Sequence, residues 1–518
     1  MPIWLRRVLL VALFAVFAGR ILATHSVFND VSDESGHIAV GLELLERGTY
    51  SIEAQHPPLA RLVLAALPYW GGLRRQDHDR LWEGGAWSKA EPGFYWRTLR
   101  LGRAGNLVFA ALLFLVACAW SARIHGPRAG LLAGVLLVCC PNLIAHASLA
   151  TIDLAAAATL VAAAYALWRW VQEPGWRWLL AAGAAGSAAV LVKFSAVPYL
   201  GAVGVMYFCL ARGRRRWLLA GLPVLALVFL AMAWPVYWFQ AGRPASGTYA
   251  VRPLNRLAKI PLAGRLLPYM FTEGVAEVAG HNVRGHYSYL LGKLSMEGWW
   301  FYFPVALAVK TPLPLLALVA VGVVRQRKNR DLLYPLLGVG AVLGIAMASH
   351  MNLGIRHVLA IEAWFAVLAA GAAVDAGRAG QVAVLALAGW HAAESVVAHP
   401  HYLAYFNQIA RGREWRFLAD SNLDWGQDLA LLGRWMRERG VDQVQLSFFG
   451  ATEPAKVGVK ARPLRDGPPE PGWAAVSVNH LLGLSMYHHS DWSWYLAREP
   501  AARVGKSIWV YYRPPGVR

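Results

Sequence analysis

Along its first three quarters the chain repeats one pattern: an apolar stretch of about 20 residues, then a short polar break. About 20 helical residues are what a helix needs to rise through a ~30 Å hydrocarbon core. The stretches fall near 8–28, 103–122, 128–146, 152–171, 178–195, 197–211, 217–239, 302–324, 332–350, 355–374 and 379–398, and predict about eleven membrane helices. Beyond 398 the pattern changes. Alternating runs at Val444 to Phe448, Ala474 to Val478 and Ser507 to Tyr511 predict strands. Before them Asp424-Trp-Gly-Gln427 predicts the start of an amphipathic helix ending near Gly440, with Asp424 as cap and Gln427 reaching back. The fold expected is a polytopic α-helical membrane domain over 1–398, followed by a small α/β domain over 399–518.

Charge orients this arrangement. With the N-terminus inside, Arg123 with Arg128, Arg169 with Arg177, the cluster Arg212, Arg214, Arg215 and Arg216, and the cluster Arg325, Arg327, Lys328 and Arg330 all fall in cytoplasmic breaks, as the positive-inside rule requires. The long polar segments 29–102, 240–300 and 399–518 then lie on the other side of the cell's inner membrane, and chemistry is expected there. The first stretch follows Arg6 and Arg7 but has no small-x-small cleavage site, which reads as a retained signal-anchor. Composition agrees: 57% hydrophobic and 15% charged residues, with a mean hydropathy of +0.38, exclude an ordinary soluble protein. The formal charge of +20 is carried largely by the topology clusters, so it points to membrane lipids and not to nucleic acid. Cys118, Cys139, Cys140 and Cys209 all sit in apolar stretches, without disulfide or zinc spacing.

Directly after the first span stands Asp30-Val-Ser-Asp33-Glu34-Ser-Gly-His37. A carboxylate at the mouth of a helix bundle meets water and apolar substrate at once, and suits removal of a proton from an attacking hydroxyl. Alone, adjacent acids more often cap a helix in a solvated loop. Here they are followed by Gly41, Gly48-Thr-Tyr50 and His56-Pro-Pro-Leu59. That arrangement resembles the C-type membrane glycosyltransferases, in particular the branch of the protein O-mannosyltransferases (glycosyltransferase family 39) and the bacterial aminoarabinose transferase of lipid A. Pro141-Asn-Leu-Ile-Ala-His146 through Thr151-Ile-Asp153 is similar to that family's second external acidic motif. His286 through Trp299-Trp300 to Lys310-Thr-Pro312, and Asp420-Ser-Asn-Leu-Asp424-Trp-Gly-Gln-Asp428, resemble a bacterial subgroup signature.

The resemblance implies an enzyme that moves a sugar from a polyprenyl-phosphate donor to an acceptor hydroxyl on a lipid, glycan or protein, with inversion, at the extracytoplasmic face. It implies Asp33 and Glu34 as the catalytic pair, with Asp33 the base and Glu34 supporting the loop geometry or the acceptor. Lys193, Lys310 and Arg356 are each a cation in apolar surroundings on that side, the means to neutralise a leaving phosphate, although snorkelling to headgroups explains any one alone. Asp153, His56 and His357 are candidates for positioning substrate, whereas Arg20, within the first span, is expected to pair inside the bundle. Relatives with diphosphate donors need a divalent cation and those with monophosphate donors generally do not, so the resemblance leaves a metal open. The spacing of His281, His286, His350 and His357 matches no zinc signature, and Asp420-x-Asn422-x-Asp424 lacks the glycine and glutamate of a calcium loop. The competing class is a lipid-carrier transporter or flippase, whose expected internal repeat of spans is missing from the sequence.

Overall fold

The computed structural model describes residues 1–74, 92–211, 213–242, 266–464, 467–484 and 491–516. Arg212 and parts of the segments 29–102 and 240–300 lie outside the described residues. The first span, α1 (Ile3–Thr24), buries only Phe17, Ile21 and Thr24, so nearly its whole apolar surface is left for lipid. At the other extreme α8 (Asp153–Gln172) is buried on almost every side, packed by α5 (Leu107–His125), α9 (Trp176–Val192) and α10 (Ala196–Leu210). Its run of alanines permits this, since small side chains let helix backbones approach closely.

The protein is a multi-pass membrane protein. Among the described residues five helices are long and apolar enough to cross a membrane, or seven if each of two bent pairs counts as one span. One pair is α6 (Pro127–Val138) with α7 (Pro141–Ala147), bent by 66°; the other is α13 (Tyr302–Lys310) with α14 (Leu313–Arg325), bent by 107°. Proline follows each break, at Pro141 and at Pro312, where a missing N–H and a fixed φ end one helix and start the next. The shorter apolar helices α9, α10 and α16 (Ala360–Ala370), together with α17 (Arg378–Val397), occupy the remaining expected segments. All eleven segments are thus helical, yet length and apolarity support five to seven crossings.

Outside the bundle, α2 (Glu34–Arg47) and α3 (Pro58–Trp70) form a helical hairpin that leads through α4 (Pro92–Gly105) back into it. A second external helix, α12 (Tyr269–Arg284), precedes a small antiparallel hairpin of β1 (Ser288–Leu290) and β2 (Lys293–Ser295). The C-terminal segment builds a five-stranded mixed sheet in the order β4 (Ala461–Pro463), β3 (Val444–Ser447), β5 (Gly472–Ser477), β7 (Ile508–Arg513) and β6 (Ala502–Val504). Three of these strands are the predicted ones. The helix before them, α18 (Leu429–Arg439), ends at the left-handed Gly440 as expected but begins at Leu429, with Asp428 as its cap residue. Asp424 does not cap it. Its carboxylate instead turns into the sheet, accepting bonds from the Ser477 hydroxyl and from the Asn479 N–H at 3.0 Å. One apolar core runs from the membrane helices, including Tyr302 and Ile355, through to Val476 and Val510 of the sheet.

Candidate active site

Two clusters of buried charge meet where α1 emerges, and the adjacent acids Asp33 and Glu34 are divided between them. Glu34 opens α2 and points inward, fully buried. Its carboxylate accepts Nε and Nη2 of Arg103, both at 2.8 Å, the Val31 N–H at 2.9 Å and the Ala150 N–H at 2.6 Å. Arg103 in turn donates to the carbonyls of His25, Phe28 and Asn29. Every polar atom of this pair is engaged, so it fastens loop 25–34 to α4 and to the turn before α8. Of the expected catalytic pair, then, only Asp33 faces open space.

Asp33 is 25% exposed and its Oδ2 accepts Nη1 of Arg356 at 2.7 Å. The same Nη1 lies 3.9 Å from Oδ2 of Asp153, whose Oδ1 accepts Lys193 Nζ at 2.8 Å. Asp33, Arg356, Asp153 and Lys193 thus form a chain of alternating charge. Asp153 stands at the first turn of α8, where the helix dipole favours an anion, and Lys193 ends α9 as its cap. A small cavity of about 20 Å³ opens beside Asp153, Lys193, Arg356, His357 and Tyr199. Burial, followed by the charge of Lys193, holds His56 at about 3. His56 is therefore neutral at pH 7, able to hydrogen-bond a hydroxyl without adding positive charge. Asp153 is the one member of the chain almost wholly withdrawn from solvent, at 2% exposure, which suits an anchor for two cations.

Lys310 is not part of this chain. It ends α13 at the bend and donates to the carbonyls of Leu403 and Asn422, both at 2.7 Å, above the Phe406 ring. Arg20 pairs inside the bundle with Val138, Ser395 and Tyr402. Two residues the sequence reading passed over complete the site. Arg61 on α3 is buried and bonds Glu53, the Tyr50 hydroxyl at 2.6 Å and His37 Nδ1 at 3.2 Å, which fixes the loop carrying His56. Trp425 is the second: the Arg356 guanidinium lies 4.2 Å over its ring, and its carbonyl accepts the Ser32 N–H at 3.1 Å, next to Asp33. The loop around it also holds the Arg356 segment, since Asn422 Oδ1 accepts the Ile355 N–H at 3.0 Å. Gly354, at φ +133°, packs so tightly on Ser421 that a side chain would collide with it. A charged side chain in an apolar stretch was the available signal for Arg61; for Trp425 it was its place inside the Asp420–Asp428 motif.

Among the described residues no group of three or more His, Cys, Asp or Glu is placed to hold a metal ion. Residues 99–239 match the family described as dolichyl-phosphate-mannose-protein mannosyltransferase. No curated protein sequence matches the chain significantly. Among solved structures, ArnT from Cupriavidus metallidurans bound to undecaprenyl phosphate aligns over 96% of this chain and 97% of its own, with a TM-score of 0.55 at 15% identity. The apo form of the same protein aligns over the same shares with a TM-score of 0.53. The chain thus has the fold of the C-type membrane glycosyltransferase superfamily, and its residues 99–239 match the superfamily's mannosyltransferase family.

Proposed function

We propose that the protein transfers a sugar from a polyprenyl-phosphate donor to an acceptor hydroxyl at the extracytoplasmic face of the inner membrane, with inversion. The observation that carries this reading is the charge chain Asp33–Arg356–Asp153–Lys193 beside the end of α1. A phosphate brought to Arg356 and Lys193 competes with the two carboxylates for the same cations. As it takes Arg356, it frees Asp33 to act as a base. Asp33 then accepts the acceptor's proton as the acceptor oxygen bonds to the anomeric carbon. The bond from that carbon to the phosphate oxygen breaks, and polyprenyl phosphate leaves with its charge held by Arg356 and Lys193. One displacement inverts the anomeric centre.

The other sequence candidates find narrower parts in this scheme. Glu34, saturated by Arg103 and two backbone N–H groups, positions the Asp33 loop and does not touch substrate. Lys310 joins the bend of α13 to the C-terminal segment, leaving the donor phosphate to the other two cations. His357, which lines the small cavity, and the neutral His56 serve as hydrogen-bonding groups for the substrate. The test is Asp33→Asn, assayed for transfer from radiolabelled polyprenyl-phosphate sugars. Loss of a single general base predicts a fall of at least about 10²-fold, and wild-type turnover in the variant would overturn the assignment.

A further inference from the structure

A second charged feature lies apart from this site. A pocket of about 280 Å³ opens between Ser26 and Val27, just past the end of α1, Trp96 on α4, and the cations Arg434, Arg437 and Lys456 of the C-terminal segment. Arg434 and Arg437 are one turn apart on α18 and exposed. Among the described residues neither has a carboxylate within ion-pair distance, while Lys456 Nζ has Glu453 at 3.9 Å. Gly458, at φ +78°, makes room for the Arg437 guanidinium, since a side chain there would meet Arg437 Nη1 at 2.8 Å. Two more cations, Arg97 and Arg100, stand exposed on α4 beside Trp96. The three cations that line the cavity repel each other, and an anion in the cavity relieves that repulsion.

The depth of the pocket points to the source of the anion. α1 is an apolar span that ends at Thr24, so Ser26 sits at the boundary where hydrocarbon gives way to headgroups. A tryptophan at that level is what an interface favours. We propose that this pocket binds the phosphate of an anionic lipid headgroup and so ties the C-terminal segment to the membrane surface. Two guanidiniums give phosphate paired, directional hydrogen bonds, Lys456 adds a point charge, and the Ser26 hydroxyl supplies a neutral donor. The inference does not depend on the sugar-transfer reading, because none of these residues belongs to the Asp33 chain.

The experiment uses the full chain, delipidated in neutral detergent and titrated with short-chain phosphatidylglycerol, with phosphatidylcholine of equal chain length, and with inorganic phosphate. Bound lipid is counted by native mass spectrometry. The expected result is preferential retention of phosphatidylglycerol, weakened about 30-fold in an Arg434→Gln/Arg437→Gln variant, the loss of two headgroup-level cations. The Arg434→Lys/Arg437→Lys variant keeps the charge but loses the paired bonds, and binds more weakly than wild type and more tightly than the double Gln variant. Arg437→Gln alone, at an exposed helix position, gives a smaller loss in a chain whose folding it should not disturb. Equal phosphatidylglycerol affinity in wild type and the double Gln variant would sink the proposal. Inorganic phosphate binding as tightly as the lipid would overturn the lipid as its source.

Discussion

Glu34 and its neighbour Asp33 enter two ion-pair clusters of opposite kinds. The Glu34–Arg103 cluster is closed: both side chains are at most 1% exposed, and five further hydrogen bonds to backbone groups would be lost before either charge met water. The Asp33–Arg356 cluster is open: Asp33 is 25% exposed, Arg356 12%, and among the described residues the Arg356 Nε has no hydrogen-bond partner. A buried pair with every atom satisfied cannot exchange partners without a large desolvation cost. A half-open pair with one unsatisfied donor can. Two adjacent acids of the same charge thus differ in what they can do because of what surrounds them.

The comparison breaks most visibly at Arg356. Arg356→Ala removes the open cluster's shared cation while leaving the closed cluster whole, and the expected loss is about 10²–10³-fold in turnover, the scale for one electrostatic group at a developing charge. The thermal unfolding of that variant in detergent should lie close to wild type. Arg103→Ala reverses the pattern. It leaves Glu34 buried without its cation, at a cost of about 3–5 kcal/mol, and should lower the unfolding temperature and the yield of folded protein. Were Arg103→Ala to unfold like wild type and lose only turnover, the closed cluster would belong to the chemistry and the two clusters would not differ in kind.

How much of this division could be read from the sequence depends on the range of the interaction. Helix periods are local, so all eleven apolar segments and the strands at β3, β5 and β7 were legible. Asp33, Asp153, Lys193 and Arg356 were also legible as candidates, because a charge beside an apolar stretch stands out against its surroundings. What the sequence could not convey was pairing across distance. Asp33 and Glu34 are adjacent in the chain, yet their partners lie at 356 and 103, and only the packed bundle decides which acid turns inward. Lys310 shows the same limit from the other side. It has the environment of a donor-binding cation in the sequence, but the 107° bend after it delivers its ammonium to two carbonyls. The capping role expected of Asp424 failed for a similar reason, since Ser477 and Asn479 are distant in sequence and near in space.

Trp425 sharpens the comparison at smaller amplitude. Its ring holds the Arg356 guanidinium and its backbone holds Ser32, so it links the open cluster to the C-terminal segment without touching reacting atoms by this geometry. A desolvated cation–π contact is worth about 0.5–2 kcal/mol, so Trp425→Leu should cost about 3- to 30-fold in activity. As a positioning residue, it should act on turnover through Arg356. The loss should therefore largely vanish in an Arg356→Lys background, where no planar guanidinium is left to stack. A merely structural tryptophan would impose the same loss in both backgrounds, and that outcome would remove Trp425 from the site.

The smallest effect concerns the loop beneath that tryptophan. Asp424 is buried against the sheet, and burial pushes its carboxyl up to about 7, despite hydrogen bonds from Ser477, Asn479 and Gly426 that favour the charged form. A carboxyl raised in the folded state binds its proton more tightly there than in the unfolded chain. Its contribution to stability is therefore complete below about pH 4 and is lost as pH rises through about 7. Asp424 precedes Trp425, so its protonation state is tied to the loop that supports the open cluster. Asp424→Asn keeps the shape and cannot ionise. Thermal unfolding followed between pH 5 and 8 should then decline less steeply in Asp424→Asn than in wild type, by a few degrees at about 2–4 °C per kcal/mol. Identical slopes would mean that the carboxyl stays ionised throughout, held by its three donors, and that the loop's support of Arg356 is independent of pH.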